Sequence, residues 1–186
     1  MVIAGIDYSL SCPAICVYDT NRRKFSYDNT YNYFRSNLKK FENFNRNKLS
    51  SENHGSWKTE EDRYDDIANW AMNIISTKHN VNRVFLEGYS YGSTGKVFHI
   101  AENTAILKYL MWDNEIGFDI IPPTVIKKFA TGKGNANKEK MQEAFVKENS
   151  RVDLCTWLTP KSSNVISPVN DVVDAYFIAK YGLDSL

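Results

Sequence analysis

The feature that constrains this chain most is a short apolar run at its start that ends in an acid. Residues 2–6 read V-I-A-G-I, and Asp7 closes the run. A nearly continuous apolar run is typical of a strand buried on both faces, as in the centre of a sheet covered by helices. A carboxylate there is costly to desolvate unless a cation or hydrogen bonds compensate it. Asp7 is therefore either a cap for the turn that follows or part of an acidic site, and the rest of the chain must decide.

Length and composition set the class of protein. The chain has 186 residues, of which 42% are hydrophobic, and this suits a single domain over residues 1–186. The formal net charge is only +1, so any binding of nucleic acid has to come from local charge. The three cysteines match no metal-ligand spacing and indicate reduced thiols. Neither a signal peptide nor a membrane span is evident, so we expect a cytoplasmic protein without a membrane partner.

The first third of the chain predicts an antiparallel meander of three strands. After the strand over 2–9, a second strand follows over 13–18, and a third, edge-like strand lies within 24–34, where aromatic and polar residues alternate. The segment 36–58 is rich in Asn, Ser, Lys and Arg and has no sustained period. We predict a polar surface excursion there, and an arm that contacts DNA is the alternative.

The rest of the chain predicts parallel strands and helices. Thr59 and the acids after it start a helix, and a strand over 83–87 follows that helix. A strand–helix–strand unit adds a parallel strand, so the sheet is mixed. A helix over 97–112, a strand over 117–121 and a last helix that begins at the Ser-Pro pair 167–168 follow. We therefore expect an α/β fold whose mixed sheet carries helices on both faces.

Acids stand at the ends of these predicted elements. Glu87 closes its strand, where ligand and metal sites gather in α/β sheets, and Asp171 and Asp174 share one face of an otherwise apolar helix. Acids early in a helix also have an ordinary role, since they interact favourably with the helix dipole. Together with Asp7, however, these acids would repel one another without a cation. Oxygen ligands without a histidine cluster favour Mg²⁺ or Mn²⁺, and two such ions roughly 3.5–4 Å apart would support phosphodiester hydrolysis.

A basic cluster supplies the local charge that the overall composition lacks. Its members surround the glycine-containing loop 131–136, between two helix-like segments. They are Lys127, Lys128, Lys133, Lys138 and Lys140. Lysines and backbone N–H groups presented in this way suit a DNA phosphate backbone, although the loop lacks the Walker A spacing. A solvated lysine face is the other interpretation.

Two groups of aromatic residues each leave a question open. Tyr89 and Tyr91 lie in a glycine-rich loop, where they either stack on an unpaired base or anchor the loop on the adjacent helix. Three more aromatic residues of the helix over 97–112 either form an exposed dimer surface or belong to the core. They are Phe98, Tyr109 and Trp112.

Four stretches, in this order, resemble the RuvC-type Holliday junction resolvases of the RNase H-like superfamily, phage and viral members included. The stretches are G-I-D-Y-S around Asp7, F-L-E-G around Glu87, I-K-K-F-A-T-G-K-G-N-A-N-K-E-K-M-Q from Ile126, and D-V-V-D-A-Y-F-I-A from Asp171. The acids alone are shared across the superfamily, whereas the lysine–glycine stretch and the terminal D-x-x-D-A are more specific to RuvC. The resemblance covers most of the chain, and the segment 36–58 and the tyrosine-rich loop depart from it.

The resemblance implies a crossover junction endodeoxyribonuclease with an RNase H-like fold. Such an enzyme works as a homodimer that nicks two opposed strands of a four-way DNA junction, with two Mg²⁺ ions per active site and Mn²⁺ as a substitute. Lys127 and Lys138 match the functional basic residues of the family, and the loop from Gly88 corresponds to the one that reaches towards the junction centre. The catalytic, metal-binding acids would be Asp7, Glu87, Asp171 and Asp174.

Three other functions remain open. A nuclease of the same fold could act on another substrate, such as flap DNA or RNA, or the chain could be a branched-DNA binding module without activity. An actin-like or sugar-kinase-type ATP-binding protein also begins with a G-x-D strand and hairpin. It would need a second lobe and another phosphate-binding glycine loop, and this chain is short for both.

Overall fold

The computed structural model describes residues 1–22, 24–89 and 97–186. Its strands are β1 (Val2–Asp7), β2 (Ala14–Asp19), β3 (Thr30–Arg35), β4 (Asn45–Arg46), β5 (Leu49–Glu52), β6 (Arg83–Glu87) and β7 (Gly117–Ile121). Its helices are α1 (Glu60–Met72), α2 (Val97–Asp113), α3 (Pro123–Thr131), α4 (Lys138–Glu148), α5 (Leu154–Leu158) and α6 (Val169–Asp184). Short 3₁₀ turns occur at Tyr27–Asn29 and Lys39–Phe41, and a π-helical turn at Asn73–Lys78 extends α1.

β1 lies inside a mixed sheet, as its apolar sequence predicts. Within the described residues the sheet has seven strands, in the order β4-β5-β3-β2-β1-β6-β7. β1, β2 and β3 form an antiparallel meander, whereas β6 pairs parallel with β1 and β7 pairs parallel with β6. The predicted combination of a meander with parallel strands is therefore confirmed. The prediction that the third strand is an edge strand is wrong, because β5 pairs parallel with its far side.

The sheet separates two hydrophobic cores. On one face, Ile3 of β1 packs with residues of α3, α4 and α6. On the other face, Ala4 and Ile6 pack with residues of α1 and α2. Successive side chains of a strand point to opposite faces, and here both faces are apolar and covered. The predicted helices on both faces are therefore confirmed, and Asp7 is the last residue of β1.

Glycines let α6 lie directly on the two central strands. A Cβ atom on Gly5 of β1 would be 2.1 Å from the backbone nitrogen of Ala179, and one on Gly182 would be 2.1 Å from the ring of Phe85 on β6. Real Cβ atoms do not approach other atoms that closely, so glycine is needed for this backbone approach. The first turns of α6 consequently come next to the ends of β1 and β6.

The segment 36–58 is more ordered than the predicted polar excursion. β4 and β5 form an antiparallel hairpin, and β5 extends the sheet by pairing with β3. Phe41 and Leu49 are buried in the core on the α6 side. Strands of two and four residues are too short to show a period in the sequence, and pairing with β3 is what orders them.

The helix starts agree with the prediction in one case and differ in another. α1 begins after Thr59, whose side chain accepts a hydrogen bond from the Asp62 backbone N–H in a capping box. α6 begins at Val169, so Pro168 and not Ser167 takes the N-cap position. The Ser167 hydroxyl is engaged elsewhere, because it donates to the side chain of Asp171. Over the part of the chain that the structure describes, no helix is long and apolar enough to span a membrane.

Candidate active site

The predicted acids meet at one edge of the sheet. Asp7 is the last residue of β1 and Glu87 is the last residue of β6, and these two strands are parallel neighbours. The carboxyl ends of parallel strands lie at the same edge, which makes the two side chains neighbours. Asp171 and Asp174 lie in the first two turns of α6, which crosses the same strands. The structure therefore brings together the four acids that the sequence analysis singled out.

The four acids affect one another's protonation. Burial raises the pKa of Asp7 well above its usual value, and the charges of Glu87, Asp171 and Asp174 raise it further. Burial is also the main reason that the pKa of Glu87 rises to about 7 and that of Asp174 to about 8. A carboxyl group beside other carboxylates resists ionisation. At neutral pH the cluster therefore favours either bound protons or a bound cation.

Asp171 is held by hydrogen bonds that the sequence analysis missed. Ser167 Oγ donates to its Oδ2 at 2.5 Å, and Asn170 Nδ2 donates to its Oδ1 at 2.9 Å. Burial raises the pKa of Asp171, and hydrogen bonds from the Ser167 hydroxyl and the Cys12 thiol lower it. Ser167 lies before the start of α6, so no helical spacing in the sequence signals its contact with Asp171. Nothing in the sequence indicates that Cys12 reaches this carboxylate.

Two lysines on α3 and α4 offset part of the negative charge. Burial raises the pKa of Glu87 and of Asp7. Lys127 lowers the pKa of Glu87, and Lys138 lowers the pKa of Asp7, so the lysines partly oppose burial. Burial and the neighbouring acids have the largest effects on the pKa of Asp174 and raise it, and both lysines lower it. These two members of the basic cluster are therefore placed beside the acids.

The other lysines of the basic cluster face elsewhere. Lys128, Lys133 and Lys140 are exposed, and their charges are not among those that shift the pKa of the acids. Lys133 and Lys140 line a surface groove between α3 and α4, together with Lys147. The basic cluster thus divides into a pair beside the acids and a group on the outer surface.

A cavity of about 430 Å³ opens beside Asp7 and Glu87. Its walls come from the turn after β1, from α1 and from the start of α2, and Tyr89 lines it with 38% of its surface exposed. Tyr91 lies outside the residues that the structure describes. The cavity gives a ligand access to two of the four acids.

The donor chemistry of the cluster fits a divalent cation with oxygen ligands. Burial and mutual repulsion make the ionised carboxylates unfavourable, and Lys127 and Lys138 offset this effect only in part. Within 1–22, 24–89 and 97–186, no group of three or more His, Cys, Asp and Glu side chains is gathered closely enough to hold a metal ion as it stands.

Similarity to known proteins is found in structure and not in sequence. No protein-family model matches the chain, and no curated protein sequence matches it. Its structure is similar to that of Thermus thermophilus RuvC, with a TM-score of 0.63 and 12% identity over 100% of this chain and 96% of that chain. The chain has a RuvC-type fold.

The same RuvC-type fold occurs in two further structures. The fowlpox virus resolvase, solved with Holliday junction DNA, has a TM-score of 0.54 and 12% identity over 100% of this chain and 98% of that chain. The yeast mitochondrial Holliday junction resolvase Ydc2 has a TM-score of 0.56 and 14% identity over 95% of this chain and 75% of that chain. Identities this low concern the fold alone, and the RuvC-type, RNase H-like fold expected from the sequence is confirmed.

Proposed function

We propose that this protein is a metal-dependent endonuclease that cuts branched DNA, and four-way junctions above all. The observation that carries the proposal is the cluster of Asp7, Glu87, Asp171 and Asp174 at the carboxyl ends of the parallel strands of a RuvC-type sheet. Burial raises the pKa values of Asp7 and Asp174, and the neighbouring acids raise them further. A module that only binds DNA has no use for such a cluster, because carboxylates repel phosphate. The structures of T. thermophilus RuvC and the fowlpox virus resolvase with Holliday junctions favour the junction as substrate.

Mg²⁺ is the cofactor that we propose, with Mn²⁺ as a substitute and the four acids as ligands of two ions. Bound there, the ions would supply an activated water and stabilise the leaving oxygen of the phosphodiester. Lys127 and Lys138 lie beside the acids and would bind the phosphate to be cut. The lysines that would contact the DNA backbone farther along are Lys128, Lys133 and Lys140.

The preference for a junction over a duplex is assigned to the loop after Glu87. Tyr89 presents a partly exposed ring in the cavity beside the acids, and Tyr91 of the same loop is proposed for the same role. Stacking of an aromatic ring on an unpaired base contributes roughly 1–3 kcal/mol, and a junction centre offers such bases. Tyr89→Ala should therefore lower the ratio of junction to duplex cleavage at an unchanged melting temperature. A clear drop in melting temperature would show instead that Tyr89 anchors the loop.

A homodimer would supply the two active sites that paired nicking requires. Phe98, Tyr109 and Trp112 of α2 are 81%, 59% and 70% exposed, so the alternative that they belong to the core is wrong. At 3.6 residues per turn they lie on one side of the helix, and the rings of Tyr109 and Trp112 are 6.0 Å apart. An exposed aromatic stripe is typical of an interaction surface. We propose that a second copy of the chain covers it.

A nicking assay on a panel of substrates tests the proposed function. Four-way junctions, flaps, linear duplexes and RNA–DNA hybrids are incubated with Mg²⁺, with Mn²⁺ and with chelator. We expect paired nicks in the junction with either metal and none with chelator. Asp7→Asn and Glu87→Gln should abolish cleavage and retain junction binding, because they keep the shape of the site and remove a ligand charge.

The same panel contains the results that would contradict the proposal. Cleavage by either variant at a near wild-type rate would overturn the assignment of the acids. Preferred cleavage of flaps or RNA–DNA hybrids would establish a different substrate. Tight junction binding without cleavage under either metal would identify a binding module.

A further inference from the structure

The cavity beside the acids continues onto the sheet face that carries α1 and α2. Its volume of about 430 Å³ is within the range of small-ligand sites, about 300–1,000 Å³. Arg63 of α1 lies in its wall, and among the described residues that line the cavity it is the only lysine or arginine. The cavity thus joins the carboxylates of Asp7 and Glu87 to one guanidinium group.

Arg63 does not serve to neutralise the acids. The charges that lower the pKa of the acids, against the larger effect of burial, are those of Lys127 and Lys138. Those lysines belong to α3 and α4, which pack with α6 on one face of the sheet, whereas α1 packs on the other. Cations therefore flank the acidic edge on both faces of the sheet, and the role of Arg63 lies outside the acid cluster.

The guanidinium of Arg63 is held in place by its neighbours. Nη2 donates a hydrogen bond to the carbonyl oxygen of Leu10, in the turn after β1, at 3.1 Å, and the group lies 5.1 Å from the ring centre of Trp57. Its nearest carboxylate, that of Glu60, is 3.4 Å away in a partly exposed i,i+3 pair, which is a weak interaction. Nε is buried and has no hydrogen-bond partner among the described residues. The buried Nε is out of reach of a ligand, but Nη1 and Nη2 each keep a second N–H, and an orientated guanidinium of this kind is suited to phosphate oxygens.

We infer that Arg63 binds a phosphate that flanks the scissile phosphate, on the α1–α2 side of the sheet. A strand cut at the acidic edge continues past both faces, so Lys127 and Lys138 would hold it on one side and Arg63 on the other. Arg63 is then a positioning residue that sets the register of the cleaved strand. This inference rests on the nuclease function proposed above.

Neutral backbone linkages test the contact directly. Single methylphosphonate linkages are placed, one at a time, at the positions on either side of the mapped cleavage site of a four-way junction. Binding is measured with Asp7→Asn, which does not cut, and with Asp7→Asn combined with Arg63→Ala. We expect one flanking linkage to weaken binding about tenfold when Arg63 is present and to have no further effect when it is absent. At every other position, the effects of the neutral linkage and of Arg63→Ala on the binding free energy should add.

Two further variants keep the test decisive. Arg151→Ala removes one exposed arginine elsewhere and should leave the pattern of linkage effects unchanged. Arg63→Lys keeps the charge without the planar fork and should show a smaller linkage effect at the same position, even if Arg63→Ala folds poorly. Additive effects at all positions would overturn the inference and reduce Arg63 to a support for the turn at Leu10.

Failure of the inference is distinguishable from failure of the proposed function. Cleavage of unmodified junctions by the wild-type protein reports the function, and the linkage scan reports Arg63. If a flap or a hybrid proves to be the substrate, the scan is made on that substrate with the same expected outcome. If no nucleic acid is cut, both the function and the inference are wrong.

Discussion

Glu87 and Asp174 carry raised pKa values in the folded protein, about 7 and about 8, mainly because they are buried. The unfolded chain, with carboxyl pKa values of about 4, has already released these protons at pH values where the folded state still holds them. The stability that these two groups contribute is therefore fully present below the unfolded pKa and is lost as the pH rises through the folded pKa. At the residue scale, the acids that the proposed reaction needs lower the stability of the metal-free fold.

We expect the protein in chelator to lose thermal stability between about pH 5 and pH 8. Asp174→Asn removes one of the ionising groups, so it should flatten this slope and melt higher than wild type at pH 8, by about 2–4 °C per kcal/mol gained. Mg²⁺ added at pH 8 should raise the wild-type melting temperature more than that of the variant. Identical pH slopes for the two proteins would contradict the burial of this acid.

At the scale of elements, the position of α6 determines whether the acid cluster exists, since α6 brings Asp171 and Asp174 to β1 and β6. Gly5→Ala would place a Cβ 2.1 Å from the backbone nitrogen of Ala179, so the helix must move. We expect urea unfolding to show a loss of about 1–3 kcal/mol, together with slower cleavage.

The matched control for this change is Gly117→Ala in β7. A Cβ there would meet its nearest atom, Nη1 of Arg83, at an ordinary distance of 3.7 Å. Its free energy of unfolding should stay within about 0.5 kcal/mol of wild type. A Gly5→Ala protein as stable as this control would show that α6 does not depend on the close approach.

α3 and α4 present their lysines in two directions, and this predicts two kinds of effect. Lys127→Ala and Lys138→Ala should lower the single-turnover cleavage rate at saturating junction, because both side chains lie beside the acids. Lys133→Ala, on the outer groove, should leave that rate unchanged, weaken junction binding, and reduce the steepness of log affinity against log salt by roughly one unit. Equal rates for all three variants would remove the distinction between the pair and the outer group.

At the scale of the whole molecule, the aromatic stripe of α2 predicts the oligomeric state. Trp112→Ser combined with Tyr109→Ser should raise the dimer dissociation constant at least about tenfold in sedimentation experiments, because central aromatic residues contribute much of the binding energy of interfaces. Junction nicks should then become single instead of paired. Leu38→Ser, which changes another exposed apolar side chain, should leave the dimer intact. A wild-type protein that is monomeric would rule out the stripe as a dimer surface.

Local signals were enough to predict several features from the sequence. The apolar run before Asp7, the cap at Thr59 and the strand over 117–121 each depend on a few adjacent residues, and the structure has β1, α1 and β7 there. Periodicity and capping act within one or two turns, so they can be read without knowledge of distant contacts. These local signals are enough to predict the mixed sheet and the carboxyl ends of its parallel strands, where the acids meet.

Which distant residues share an environment depends on how the elements pack, and it could be known from the folded structure alone. β5 is a strand because β3 pairs with it, and the Cys12 thiol reaches Asp171 because α6 packs on β1. The same packing divides the lysines into two groups and places Arg63 in the wall of the cavity beside the acids. These contacts join residues that are far apart in the chain, and their energies depend on the close approach of whole elements, which no local pattern encodes.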